Sequence, residues 1–136
     1  MKKILGIDMG TKRIGLALSN SEQTFAFPFS VIEGEKDLQH ISEQVVPKIV
    51  EVVQAEGVET IVIGESKDFA QNHNPIMKQV AGLQKNLIDM GFEVVLEPEF
   101  LSSAQAERFQ GKHDKLDASA ATIILQSYLD RKASAK

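Results

Sequence analysis

The sequence predicts an α/β fold, a mixed five-stranded sheet with helices on both faces, and three observations carry that reading. Two apolar runs stand back to back near the start, Ile4-Leu5-Gly6-Ile7 and Ile14-Gly15-Leu16-Ala17-Leu18, with Gly10 between them. Beyond residue 37, stretches with helical spacing of apolar residues alternate with short apolar runs of strand length. No apolar run approaches the roughly 20 residues that a membrane span needs.

Each element follows from local pattern. Ile4 to Met9 reads as a largely buried strand and Ile14 to Leu18 as a second, so the two form a hairpin. Phe25-Ala26-Phe27-Pro28-Phe29 alternates as a third strand. Pro28 cannot donate to a ladder, which marks that strand as an edge or a bulge. Between Asp37 and Glu56 the residues Leu38, Ile41, Val45, Ile49, Val52 and Val53 keep a spacing of three or four, the stripe of an amphipathic helix. Gly57 stops it, and Pro47 inside should kink it or split it in two. Thr60 to Gly64 is a short buried strand; Asn74-Pro75 caps a helix that runs to about Met90 and ends at Gly91. Phe92 to Leu96 is the fifth strand. Ser102 with Gln105 forms a capping box for a short helix ending near Gly111, and a last helix spans about Lys115 to Asp130. Because helices connect the later strands, those strands must be parallel. Residues 1–130 form one domain, and 131–136 read as a disordered tail.

The composition narrows the chemistry. At 136 residues the chain falls within the range of about 100–200 typical of one domain. It has no cysteine, so disulfides, thiolate nucleophiles and Cys-bound metals are excluded. The Met-Lys-Lys-Ile start lacks the apolar run of a signal peptide, which predicts a cytoplasmic protein without a membrane partner. The net charge of −4 is uneven. Residues 1–16 hold four bases against one acid (+3), residues 17–103 five against 14 (−9), and residues 104–136 six against four (+2). If the ends of the chain meet, they form a weakly basic face on an acidic body.

Asp8 is the most informative residue. It ends a buried strand and is followed by Gly10-Thr11-Lys12-Arg13, where glycine admits a close phosphate and the bases favour an anion. A carboxylate in that setting needs a partner, a hydrogen bond or a metal, unless it only caps the turn. Glu65 follows the fourth strand, Glu99 lies past the fifth, and Asp117 stands in the first turn of the last helix. In a parallel sheet such ends share one edge. Hard oxygen ligands of this kind suit Mg²⁺ or Mn²⁺, including the ion pairs about 3.5–4 Å apart that serve phosphodiester hydrolysis. His40, His73 and His113 have no metal-ligand spacing and read as polar surface, while the phenylalanines read as core.

Gly6-Ile7-Asp8-Met9-Gly10-Thr11-Lys12-Arg13-Ile14-Gly15-Leu16-Ala17 resembles the opening motif of the YqgF/RuvX family of Holliday-junction resolvases and pre-16S rRNA nucleases. The stretch from Lys115-Leu116-Asp117-Ala118-Ser119-Ala120 to Tyr128-Leu129 is similar to its C-terminal motif. The resemblance covers nearly the whole chain. It implies an RNase H-like fold and a nuclease, dependent on Mg²⁺ or Mn²⁺, that cuts precursor 16S rRNA or branched DNA. The family's acidic set falls on Asp8, Glu99 and Asp117. Lys12, Arg13 and Lys115 are then the residues that neutralise substrate phosphates. The middle departs from the family pattern. Gly64 is followed by Glu65-Ser66-Lys67 in place of Leu-Pro, and the usual Asp-Glu-Arg triplet reads Pro98-Glu99-Phe100. Glu65 is therefore a candidate supplementary metal ligand. A resolvase would act as a homodimer. Two rival readings stand beside the nuclease: a nucleic-acid or ribosome-assembly module that has lost turnover, and an ATP-binding half of the actin and Hsp70 type, whose first phosphate loop Asp8-Met9-Gly10-Thr11 also resembles.

Overall fold

The computed structural model describes residues 2–9, 13–33, 41–66, 75–99 and 116–134. Strand β1 (Lys3–Met9) pairs antiparallel with β2 (Arg13–Ser19), which pairs antiparallel with β3 (Ala26–Glu33). Helix α1 (Ile41–Glu56) leads to β4 (Val58–Ser66), α2 (Pro75–Asp89) leads to β5 (Glu93–Glu99), and α3 (Leu116–Ser134) closes the described chain. The strand order is β3-β2-β1-β4-β5, with β1, β4 and β5 parallel. The expected helix around residues 102–111 and the Asn74 cap lie outside the described residues.

Strand alternation divides the core into two layers. Leu5, Ile7 and Met9 of β1 join Ile14, Leu16, Ile61 and Ile63 beneath Val45, Ile49 and Val53 of α1 and Val80, Leu83 and Leu87 of α2. The other parity, Ile4, Ala17 and Val62, packs against Ala121, Ile124, Leu125 and Leu129 of α3. Gly6 belongs to this second face. A Cβ there would stand 2.8 Å from Leu125 Cβ and 3.1 Å from the Ala121 carbonyl oxygen, so only glycine lets α3 descend onto β1.

Both helix stops form as the glycines require. Gly57 (φ 69°) donates to the Val53 carbonyl at 3.1 Å, and Gly91 (φ 94°) donates to Ile88 at 2.9 Å while Phe92 N–H reaches Leu87 at 3.1 Å. The second set is a Schellman motif. Pro28 also behaves as its chemistry demands: β3 is the sheet's edge, and its register with β2 shifts beside Pro28.

Four expectations are corrected. Pro47 neither ends nor splits α1, because its ring lies on the exposed side while Val45, Ile49 and Val53 hold one buried stripe across it. Phe25, Phe27 and Phe29 are not core: they are 62%, 52% and 43% exposed. They lie on or beside the edge strand, whereas α1 and α2 pack over β1, β4 and β5. The fourth and fifth strands run on to Ser66 and Glu99, so Glu65 and Glu99 stand within strands. Finally, residues 131–134, read as tail, continue α3 to Ser134. Contacts of Arg131 with Glu97 and of Lys132 with Gln23 hold that last turn.

Candidate active site

Asp8 follows Ile4 and Gly6 in the series of β1 that faces α3, and it is half-buried. Across β2 its Cα partner is Gly15. On the other side the parallel register pairs Ile7 with Ile63, so the next step sets Asp8 beside Gly64, and Gly64 pairs with Glu97 of β5. The neighbours of Asp8 in both directions along this cross-strand row are glycines.

Helix α3 brings its first turn to the same place. Lys132 Nζ donates to Gln23 Oε1 at 3.1 Å, and Gln23 Nε2 donates to the Lys2 carbonyl at 2.8 Å, which ties the end of α3 to the start of β1. Ala121 and Leu125 then lie over Gly6. Helix and strand run in opposite directions. Four residues back from Ala121, about 6 Å along the helix, comes Asp117. Two strand residues on from Gly6, about 6.6 Å, comes Asp8. The backbone therefore carries positions 8 and 117 to one end of one sheet face.

Glu99 reaches that face by alternation along β5. Val95 packs against the α3 layer and Glu97 meets Arg131 of α3, so position 99 continues their series, paired in register with Ser66. Position 65 is in the other series. It follows Ile61 and Ile63, which pack beneath α1 and α2, and it pairs with Pro98. The sequence placed Asp8, Glu65, Glu99 and Asp117 at one edge; the strand parity groups positions 8, 99 and 117 on the α3 face and sets position 65 apart from them. Arg13 opens β2 at the same end as Asp8, while Lys12 and Lys115, like His40, His73 and His113, lie outside the described residues.

The described side chains of the site include Asp8 but not Glu65, Glu99 or Asp117, and among described side chains no three His, Asp or Glu groups cluster. The donor set itself fits a hard divalent cation, being carboxylate throughout in a chain without cysteine. The described ends of the chain meet, the condition set for a basic face, but at the opposite end of the sheet from Asp8. There Gln23 donates to the Lys2 backbone carbonyl, accepts from Lys132 and also contacts Glu59, and Lys3 pairs with Glu56 at 3.0 Å. The basic face expected from the charge pattern is thus interleaved with acids, and of the two termini only Arg13 stands at the acidic edge among the described residues.

One residue of the region was not singled out from sequence. Glu97 is only 5% exposed, in the cross-strand row of Asp8. Burial raises its carboxyl pKa above the usual value, and Arg131 opposes that rise. The Arg131 guanidinium stands 2.5 Å from Glu97 Oε1 and pairs with the otherwise enclosed carboxylate. Its signal in the sequence was two-residue alternation with Val95, hidden because the strand was ended at Leu96.

The sheet order and the helix across its face define the class: an α/β domain of RNase H-like fold. The crystal structure of Thermus thermophilus RuvC in complex with a Holliday junction substrate superposes with a TM-score of 0.66 at 15% identity, over 98% of this chain and 96% of that one. The yeast mitochondrial Holliday junction resolvase Ydc2 gives 0.58 at 10% identity, over 97% of this chain and 79% of that one. At such identities the likeness is one of fold. The family comes from sequence: the RuvX model, described as Holliday junction resolvase, matches residues 2–131, and the chain belongs to the RuvX family. Relatives named "Putative pre-16S rRNA nuclease" include one from Maridesulfovibrio salexigens, 36% identical over 95% of this chain and 98% of its own length. Another, from Caldanaerobacter subterraneus, is 34% identical over 94% and 96%.

Proposed function

We propose that the chain is an endonuclease that hydrolyses phosphodiester bonds in structured nucleic acid with the help of Mg²⁺ or Mn²⁺. Precursor 16S rRNA and Holliday-junction-like DNA are its candidate substrates. The observation that carries this reading is the convergence of positions 8, 99 and 117 on one face and one end of the sheet, with glycines flanking Asp8. Membership of the RuvX family supports it. Asp8, Glu99 and Asp117 would hold the metal. Bound there, divalent ions supply an activated water and charge to stabilise the leaving oxygen.

The protein's own groups do the rest. Asp8 and Glu99 stand on strands and Asp117 in the first turn of α3, backbone placements that support their choice as ligands. Lys12, Arg13 and Lys115 neutralise phosphates beside the acidic edge, an attraction that weakens as salt rises. Position 65 shares its parity with Ile61 and Ile63, which favours Glu99 over the supplementary candidate Glu65 as a ligand. No helix among the described residues is long and apolar enough to cross a membrane, in keeping with a substrate met in the cytoplasm. On a symmetric junction the enzyme would work as a two-fold homodimer, since two equivalent strands must be cut.

The test is cleavage of matched precursor 16S rRNA and junction DNA in Mn²⁺ by wild type, Glu99→Gln and Glu65→Gln. The expected outcome is cleavage of at least one substrate, a loss of about 100-fold or more in Glu99→Gln, and near wild-type rates in Glu65→Gln. A reversed order of the two variants would move the ligand from Glu99 to Glu65. Binding without cleavage by the wild type would favour the ribosome-assembly module, the reading to which Phe100 in place of the family's Arg also points.

A further inference from the structure

Helix α3 lies mainly over β1, β2 and β3, where Ile4, Gly6 and Ala17 receive Ala121, Ile124 and Leu125. Over β5 its grip is different. Val95 and Tyr128 supply partly buried apolar contact, and beyond them the link is the ion pair of Arg131 with Glu97. Glu97 sits two residues before Glu99 on the same strand, and Arg131 sits on the helix whose first turn contains Asp117. The pair thus joins the two elements that must hold two of the three ligand positions in register. It does so with a buried carboxylate, whose desolvation is costly even when paired, where an apolar side chain would pack at lower cost.

We propose that the Glu97–Arg131 pair is a positioning clamp, fixing β5 against α3 and so setting the spacing of backbone positions 99 and 117 relative to position 8. The inference rests on the metal-site reading above. Neither residue touches the metal. The clamp acts through the backbone of β5 and α3, and its function is the spacing of the ligands rather than the stability of the fold.

Electrostatics alone and positioning predict different signs. If the pair acted only through its field, or if Glu97 were itself a ligand, removing Glu97 would weaken cation binding and removing Arg131 would strengthen it. A clamp loses its hold whichever partner is removed, so both substitutions weaken binding. Outer-shell partners of metal ligands typically alter affinity by 10–100-fold. The experiment is Mn²⁺ titration by calorimetry on wild type, Glu97→Gln, Arg131→Gln, Arg131→Lys and Asp8→Asn, with thermal unfolding of each followed by circular dichroism. The expected result is about tenfold weaker Mn²⁺ binding in both Gln variants and partial recovery in Arg131→Lys, with Glu97→Gln at least as heat-stable as wild type. Opposite signs in the two Gln variants, or affinities within twofold of wild type, would overturn the clamp while Asp8-dependent binding still upheld the site. Absence of Asp8-dependent Mn²⁺ binding in the wild type would overturn the site reading and the clamp with it.

Discussion

Glu97 and Ser19 show how single buried polar groups behave in this chain. Ser19, 2% exposed, accepts from the Ile4 N–H at 2.8 Å and donates to the Asn20 carbonyl at 2.9 Å, so the amide just beyond the start of the β1–β2 ladder is satisfied. Glu97 is buried beside Arg131, and that makes its ionisation a stability statement. Its folded-state pKa is raised above 4.5 by burial, so the folded chain holds the proton more tightly than the unfolded chain does. The stability it contributes is present below pH 4.5 and is lost as pH rises through the folded-state value. Glu97→Gln, neutral throughout, should therefore raise the melting temperature at pH 7–8, with the gain vanishing near pH 4. Melting curves across that range check it; a gain independent of pH would contradict the assignment. Glu97 was legible only in part from sequence. A charge in a strand is visible, but whether the strand extends far enough to enclose it depends on pairing with β4.

At the scale of elements, the close approach of α3 to β1 determines where the candidate site forms. Gly6→Ala is expected to cost about 1–3 kcal/mol, since the new methyl meets Leu125 Cβ and the Ala121 carbonyl rather than a yielding side-chain tip. Chemical denaturation measures it, and a neutral effect would mean that α3 stands farther off. The hairpin, the edge position of β3 and both glycine stops could be read in advance because each rests on local rules: alternation, proline's missing donor and the positive φ at Gly57 and Gly91. The exposed phenylalanines could not. Periodicity shows that Phe25, Phe27 and Phe29 share an alternation, but only the placement of α1 and α2 decides whether anything covers them. Gln126 is similar. Its amide accepts from Ala26 N–H at 2.9 Å and donates to the Thr24 carbonyl at 3.1 Å, a long-range tie between α3 and the approach to β3 that no local pattern announces.

Across the whole molecule, the fold separates charge in a way the totals conceal. The termini meet at the end of the sheet remote from Asp8, where Lys3 is paired with Glu56. The acidic edge instead has Arg13 of β2, next in sequence to Lys12, and the start of α3, next in sequence to Lys115. Asp8, Glu99 and Asp117 could be nominated from sequence because each ends a strand or starts a helix. Their shared face required the registers of β4 with β1 and β5 and the direction of α3. The central claim is that this edge performs metal-dependent phosphodiester hydrolysis, with Asp8 as the ligand on which it depends. The most direct test is the rate of Mn²⁺-supported cleavage of precursor 16S rRNA and junction DNA by wild type and Asp8→Asn, with and without EDTA. The account predicts cleavage by the wild type that EDTA abolishes and a loss of about 1,000-fold or more in an Asp8→Asn variant that folds normally. Full activity in Asp8→Asn, or cleavage indifferent to EDTA, would contradict it.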